Sequence, residues 1–325
     1  MKRWLKPAVS ITLLAAIFYF LPWTEVKTAI SRLTFTTWAI VLIGFLIGHS
    51  MGVAKWRMLV NAGRARLKPR DGIRCYAAGL FANLCLPTVV GGDVVRAALA
   101  ARATGRPEAA FFGSAADRAI DISVTGLLIA IGGVLSRDSF PGWAGELLAV
   151  GVLVVAIAMF AFVPLLLRRR LARWPRKIRR PVGRSLVVLR RMSRSPRTAV
   201  TAAAISLAMQ GGFVLLNAYI GRSVGITVSL TVWFFVWPLA KIAGLLPISL
   251  GGLAVRDATL AALLAPAGVP VTLGIVTALI WQSIMISGGL VGGILWWALS
   301  GGQSGWRDVT AASKAKNLQP HANHA

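Results

Sequence analysis

The stretch LPTVVGGDVVR, residues 86–96, is written again as LPISLGGLAVR at 246–256. Each copy reads Leu-Pro, three residues, Gly-Gly, three residues, Arg, and the copies lie 160 residues apart. Pro87 and Pro247 lack an amide hydrogen and disfavour helix in the residue before them, so a helix arriving at either one tends to break. Gly91–Gly92 and Gly251–Gly252 permit positive φ and close backbone approach. The pattern predicts a helix, a break, and a new helix carrying Arg96 or Arg256 in its first turn or so.

The surrounding composition says where such a break sits. Of the 325 residues, 56% are hydrophobic and 14% charged. Apolar runs at 37–54, 146–167 and 271–299 exceed the length that separates a core helix from a membrane span. The chain reads as an all-α polytopic integral membrane protein. Its 36 Lys and Arg against 10 Asp and Glu, net +26, would suggest nucleic acid in a soluble protein. In a membrane protein, blocks of positive charge mark cytoplasmic loops, so no nucleic-acid partner is expected. Cys75 and Cys85 read as buried free thiols, and His49, His321 and His324 are too scattered for a metal. No cofactor is expected.

Charge then orders the spans. Lys2, Arg3 and Lys6 place the N-terminus inside, ahead of an uncleaved first span over about 8–23. A second span, 37–60, returns to KWRMLVNAGRARLKPRDGIR, with seven basic residues and one acid. The segment 168–197 holds thirteen basic residues and no acid. It reads as a cytoplasmic loop, and it could also dock anionic lipid headgroups at about 1 kcal/mol per basic residue. Spans at 109–135 and 145–167 run out and back, as do 198–221 and 271–299. Arg307, Lys314 and Lys316 keep the tail inside, and 301–325 reads as polar and disordered.

The segments 73–106 and 227–268 each contain one copy of the motif. Every basic cluster lands inside if each segment exits on the side it entered, as a re-entrant hairpin or a helix pair. The expected architecture is about six full spans plus two such hairpins within 1–300. Repeat one covers about 37–135 and repeat two about 198–299, pointing in opposite directions. Inverted repeats with helices interrupted at matching places are the signature of many secondary transporters.

A broken helix in a membrane leaves backbone amides that need a cavity or a ligand. With the helix dipole and an arginine beside it, such a tip suits a phosphate. Candidate substrate contacts are Asn83, Gly91, Gly92, Asp93 and Arg96, with Gly251, Gly252, Arg256 and Asp257. The opposing reading makes the arginines struts, paired with Asp93 and Asp257. A further cluster, SAADRAIDIS at 114–123, reads as lying near the inner end of its span. Asp117 and Asp121 share a helical face with Arg118 beside them, as a proton relay or a counter-charge for the arginines. Lys241 either snorkels or lines the same cavity. Asn83, Gln210, Asn217 and Gln282 read first as interhelical hydrogen-bonding groups.

At these residues the chain resembles the lysylphosphatidylglycerol synthase transmembrane, or flippase-like, family. The resemblance rests on N-x-x-LP-x-x-x-GGD-x-x-R at 83–96, DR-x-x-D at 117–121 and LP-x-S-x-GG-x-x-x-RD at 246–257, and runs over roughly 5–300. Asp117 and Asp257 stand where the family often has Glu, keeping the charge. The resemblance implies lipid translocation between leaflets. With 26 residues after the last span, the aminoacyl-transferase domain of the two-domain synthases is not expected here.

Three functions compete. The first is a flippase moving an anionic or phosphate-bearing lipid across a bacterial-type inner membrane, with no nucleotide-binding motif and both termini cytoplasmic. The second is a membrane-embedded transferase acting on a lipid phosphate, with Asp117 or Asp121 as base. The third is a non-catalytic partner of a lipid-modifying or glycosyltransferase enzyme, held through the basic loop. The expected partners in all three are membrane lipids.

Overall fold

The computed structural model describes residues 33–86, 91–140, 196–245 and 253–301, with Thr24, Lys27, Thr28 and Ser31 ahead of them. The first span, the 145–167 span, most of the basic loop and the C-terminal tail lie outside the described residues. So do 87–90 and 246–252, which include Gly251 and Gly252.

Eight α-helices are described, and no strand is found among the described residues. α1 is Phe35–Ala62, α2 Pro69–Cys85, α3 Gly91–Thr104 and α4 Pro107–Leu135. α5 is Pro196–Ser223, α6 Leu230–Ala243, α7 Leu253–Leu264 and α8 Val271–Leu299. Local chemistry sets the boundaries. Thr34 caps α1 by accepting the Thr37 N–H at 3.1 Å, and proline opens α2 and α4 at the position that tolerates it. α2 stops at Cys85, just before Leu86-Pro87, and α3 starts on Gly91, as the broken-helix reading expects. Both hairpins are therefore helix pairs, α2–α3 and α6–α7.

α1, α4, α5 and α8 have 28 or 29 residues each and are long and apolar enough to cross a membrane. At 1.5 Å per residue each is about 42 Å long, more than the ~30 Å hydrocarbon core requires. The protein is an all-helical polytopic membrane protein. Large side chains such as Ile294 and Trp297 stay exposed on α8, which suits a lipid-facing surface.

Packing follows a rule of exchange. α1 lies against α5, α2 against α8, and α4 against α6. Swapping α1 with α5, α2 with α6, α3 with α7 and α4 with α8 turns the second of these pairings into the third. It also carries α3–α4 into α7–α8. Each hairpin's first arm is thus gripped by the last helix of the other half. The α1–α5 contact is antiparallel: Gly44 meets Leu216, Gly48 meets Phe213, and Gly52 meets Met209. Equivalent spanning helices that run antiparallel across a bilayer point in opposite directions, which is the geometry of an inverted repeat.

This register can be checked chemically. In a chain with Cys75 and Cys85 replaced by Ala, Gly44→Cys with Leu216→Cys should form a disulfide under mild oxidation. Gly44→Cys with Met209→Cys should not. Bridging by the second pair alone would overturn the antiparallel register.

Two expectations need correction. Cys75 is buried, but Cys85 is exposed at the end of α2, where the helix gives way to the break. Asn217 turns inward and donates to its own helix at Phe213 O, 2.9 Å, so it makes no interhelical bond in the described residues.

Candidate functional site

The motif arginines are both buried, with 6% of Arg96 and 7% of Arg256 exposed. Arg96 Nη2 pairs with Asp93 Oδ1 at 2.9 Å, one turn earlier on α3, and with Asp117 Oδ2 at 2.8 Å on α4. Its guanidinium lies over the rings of Trp56 and Tyr76, 5.3 and 5.1 Å from their centroids. Trp56 is fixed in turn by its indole N–H, which donates to Ser114 Oγ at 2.8 Å. Arg256 Nη2 pairs with Asp257 Oδ1 at 2.6 Å and donates to Gln282 Oε1 at 3.0 Å. Its Nη1 approaches Met285 Sδ at 2.8 Å, and Trp237 supplies a ring 5.8 Å away. α3 and α7, which carry the two arginines, do not pack side by side. The arginines occupy two separate sets of partners, and each pairs with the neighbouring aspartate of its own motif.

The hairpin tip is likewise occupied from within. Asn83 Oδ1 accepts the Gly92 N–H at 2.9 Å, so the side chain caps the start of α3. A Cβ on Gly92 would run into Gly79 O and the Asn83 amide. Gly92 is therefore needed for the two arms to touch. Gly91 is buried beside it.

The second cluster joins the first. Lys55, on α1 and only 1% exposed, pairs with Asp117 Oδ1 at 3.1 Å and also with Asp121. Arg118 pairs with Asp93. Ser206, on α5, donates its hydroxyl to Asp121. Asp117 thus lies against Arg96 as a counter-charge, and Arg118 pairs with Asp93, the other carboxylate of the Arg96 pocket. Their depth differs from the expectation. Asp121 is the central residue of α4 rather than near its end. Lys241, on α6, reaches Gln210 Oε1 at 2.6 Å and lies within electrostatic range of Asp121 and Lys55. It lines the network instead of snorkelling away.

The result is one buried network of four cations, Lys55, Arg96, Arg118 and Lys241, and three carboxylates, Asp93, Asp117 and Asp121. With every group ionised it holds one surplus positive charge. Asp93, Asp121 and Arg118 keep 16%, 18% and 33% of their side chains exposed, so the network is less sealed there than at Lys55 and Asp117. The corresponding positions in the second half do not repeat it: Thr277 and Trp281 stand 160 residues after Asp117 and Asp121. The fold is doubled, but the charge is gathered in one half with Lys241 contributed by the other.

Lys55, Ser206 and Tyr76 escaped the sequence reading. Lys55 is a correction as well: the sequence reading counted it with the cytoplasmic basic cluster after the span 37–60, but it lies buried within α1, where a charge needs a partner. Ser206 and Tyr76 are ordinary residues for apolar helices, and only the packing brings them in.

No curated protein and no solved structure matches the chain. A family model, the lysylphosphatidylglycerol synthase TM region, matches residues 3–300, and the chain belongs to that family.

Proposed function

We propose that this protein is a lipid translocase that moves an anionic or phosphate-bearing lipid between the leaflets of a bacterial-type inner membrane, with its termini on the cytoplasmic side. The observation that carries the reading is the charged network inside the helix bundle, centred on Asp121 at the middle of α4 and positive by one unit when every group is ionised. A charge at the centre of a bilayer costs about 2.5–3.5 kcal/mol on insertion scales. Well-packed apolar residues would hold the same helices together at no such cost. Seven ionisable groups gathered between apolar helices make sense as a polar route for a headgroup, with the acyl tails left in lipid.

The carboxylates argue for carriage over chemistry. Asp117 is held by Arg96 and Lys55, and Asp121 by Lys55 and Ser206. A general base must be available to take a proton from a substrate, and neither is. The lipid leaves as it entered.

The test is leaflet exchange in proteoliposomes of phosphatidylcholine carrying a trace of fluorescent phosphatidylglycerol, read by dithionite quenching. The full-length protein should raise the exchange rate above that of protein-free vesicles, and the recovered lipid should be unchanged in mass. Exchange at the protein-free rate would overturn the reading. A recovered lipid of altered mass would replace it with a transferase.

A further inference from the structure

We propose that Lys241 and Gln210 together form the phosphate subsite of this protein, a role for which the sequence motif had offered Arg96 and Arg256. The inference rests on the translocation reading and names where along the route the headgroup is held.

The argument begins with what is already committed. Arg96 is neutralised by Asp93 and Asp117 through Nη2, although its buried Nε has no hydrogen-bond partner among the described residues, and Arg256 is taken by Asp257 and Gln282. Lys55 is shared by two carboxylates and Arg118 is paired with Asp93. Lys241 differs from all of them. Among the described residues it makes no ion pair within 4 Å, and its ammonium is met by a neutral amide oxygen, Gln210 Oε1. The surplus charge of the network therefore sits on Lys241.

Gln210 supplies the second half. It is 4% exposed, and its Nε2 is buried without a hydrogen-bond partner among the described residues. The orientation of the amide is fixed by chemistry, because an ammonium has only donors and must face the carbonyl oxygen. That leaves the Nε2 donors on the other branch of the same amide. An unpartnered buried donor carries a desolvation penalty that a ligand would remove. The locus thus offers one cationic group with spare N–H donors and an amide with two more, and no unspent acceptor. A phosphate oxyanion is the complement, being acceptor-only and negatively charged.

Position favours the same assignment. Gln210 is at the midpoint of α5, between the two α1–α5 contacts at Gly48–Phe213 and Gly52–Met209. That is where the antiparallel helices cross, and so where the axis exchanging the two repeats passes. A site on that axis is equally distant from both faces of the membrane, as an alternating-access site should be. Lys241 is half-buried, so its ammonium is not sealed off among the described residues.

The phosphate could belong to a lipid or be free in solution, and the test separates the two. Purified full-length protein in dodecylmaltoside is titrated with dioleoylphosphatidylglycerol, with dioleoylglycerol as the phosphate-free control, and separately with inorganic phosphate. Binding is read by native mass spectrometry. The protein should bind the phosphatidylglycerol in preference to dioleoylglycerol. Lys241→Gln should weaken that binding about tenfold to a hundredfold, the loss of one charge-assisted bond. Gln210→Leu, which removes the free donor, should weaken it by about tenfold on the same grounds. Gln210→Glu is the variant that guards against misfolding. Its carboxylate would pair with Lys241 in place, holding α5 to α6 while cancelling the surplus charge, so a folded protein should lose the lipid. Lys241→Arg should retain it.

Binding of inorganic phosphate that is lost in Lys241→Gln, without binding of the lipid, would keep the subsite and overturn the lipid as its source. If the unaltered protein binds no phosphate in either form, the subsite is wrong, and exchange in proteoliposomes still judges translocation separately. If the protein binds phosphatidylglycerol and folded Gln210→Glu binds it equally well, the subsite alone is overturned.

Discussion

Lys55→Met is expected to lower the stability of the protein by about 3–5 kcal/mol, the usual penalty for breaking a buried ion pair from one side. Lys55 serves two carboxylates with 1% of its own surface exposed. Removing it does not strand them equally. Asp117 keeps its 2.8 Å contact with Arg96. Asp121 keeps only the Ser206 hydroxyl among its described hydrogen-bond partners, and it is the central residue of a spanning helix. The loss should therefore be concentrated on Asp121, and adding Asp121→Asn to Lys55→Met should restore most of it. Asp117→Asn in the same background should not, because it would leave Arg96 short of a partner. Thermal unfolding in detergent checks the series. A Lys55→Met protein that melts with the unaltered one would mean that the network does not hold α1 to α4.

The same series separates structure from transport. Met at 55 with Asn at 121 removes one positive and one negative charge, so the surplus on Lys241 survives. The double variant should still attract an anionic lipid even though half of the network's links between helices are gone.

The fold was readable because its punctuation is chemical. A proline that cannot continue a helix and a glycine pair that can start one appear twice at the same spacing, and the breaks fall between Cys85 and Gly91 and between Ala243 and Leu253. The exchange of halves has a further trace in the sequence that the motif search did not use. IGGV at 131–134 and VGGI at 291–294 are also 160 residues apart, and both lie where one half grips the hairpin of the other. Hydropathy placed the described spans because a long apolar run has few other uses.

The site was harder to read because partnership is a property of packing. Asp93 and Asp257 beside the arginines were visible as the simplest partners, and the structure gives both that role. The second carboxylate of Arg96 is Asp117, 21 residues away, and the rings against it come from Trp56 and Tyr76 on two other helices. Nothing in spacing announces either. Lys241 was visible as an odd charge in an apolar run, but Gln210 opposite it looked like any polar residue that ties helices together. Its unmet donor is a three-dimensional fact.

Gly132→Ala is expected to cost about 3 kcal/mol, at the upper end for overpacking, while Gly292→Ala, 160 residues later, should be near neutral. The two glycines hold equivalent places, one in α4 against α6 and one in α8 against α2. Their neighbours differ in kind. A Cβ at Gly132 would lie 2.5 Å from Phe234 C and Phe235 N and 2.7 Å from Phe234 O, all backbone atoms that no rotamer change can move. At Gly292 the nearest atoms are Ala77 O at 3.0 Å and Leu80 Cβ at 3.1 Å, which a few tenths of an ångström relieve. There the helical preference of Ala over Gly, about 1 kcal/mol, offsets the crowding. The reason for the closer approach lies four residues further along α6. Pro238 has no N–H to give to the Phe234 carbonyl, so that oxygen is released from the helix ladder. The Gly132 α-hydrogen on the Cβ side faces the Phe234–Phe235 peptide group, a close approach that only glycine permits. A side chain at 132 forces the backbones apart, which would draw α6, and with it Lys241, away from Gln210. Gly132→Ala should therefore lose leaflet exchange as well as stability. Parallel melting curves and exchange rates for the two alanine variants decide the matter: equal effects at 132 and 292 would mean that the released carbonyl plays no part in how the halves interlock.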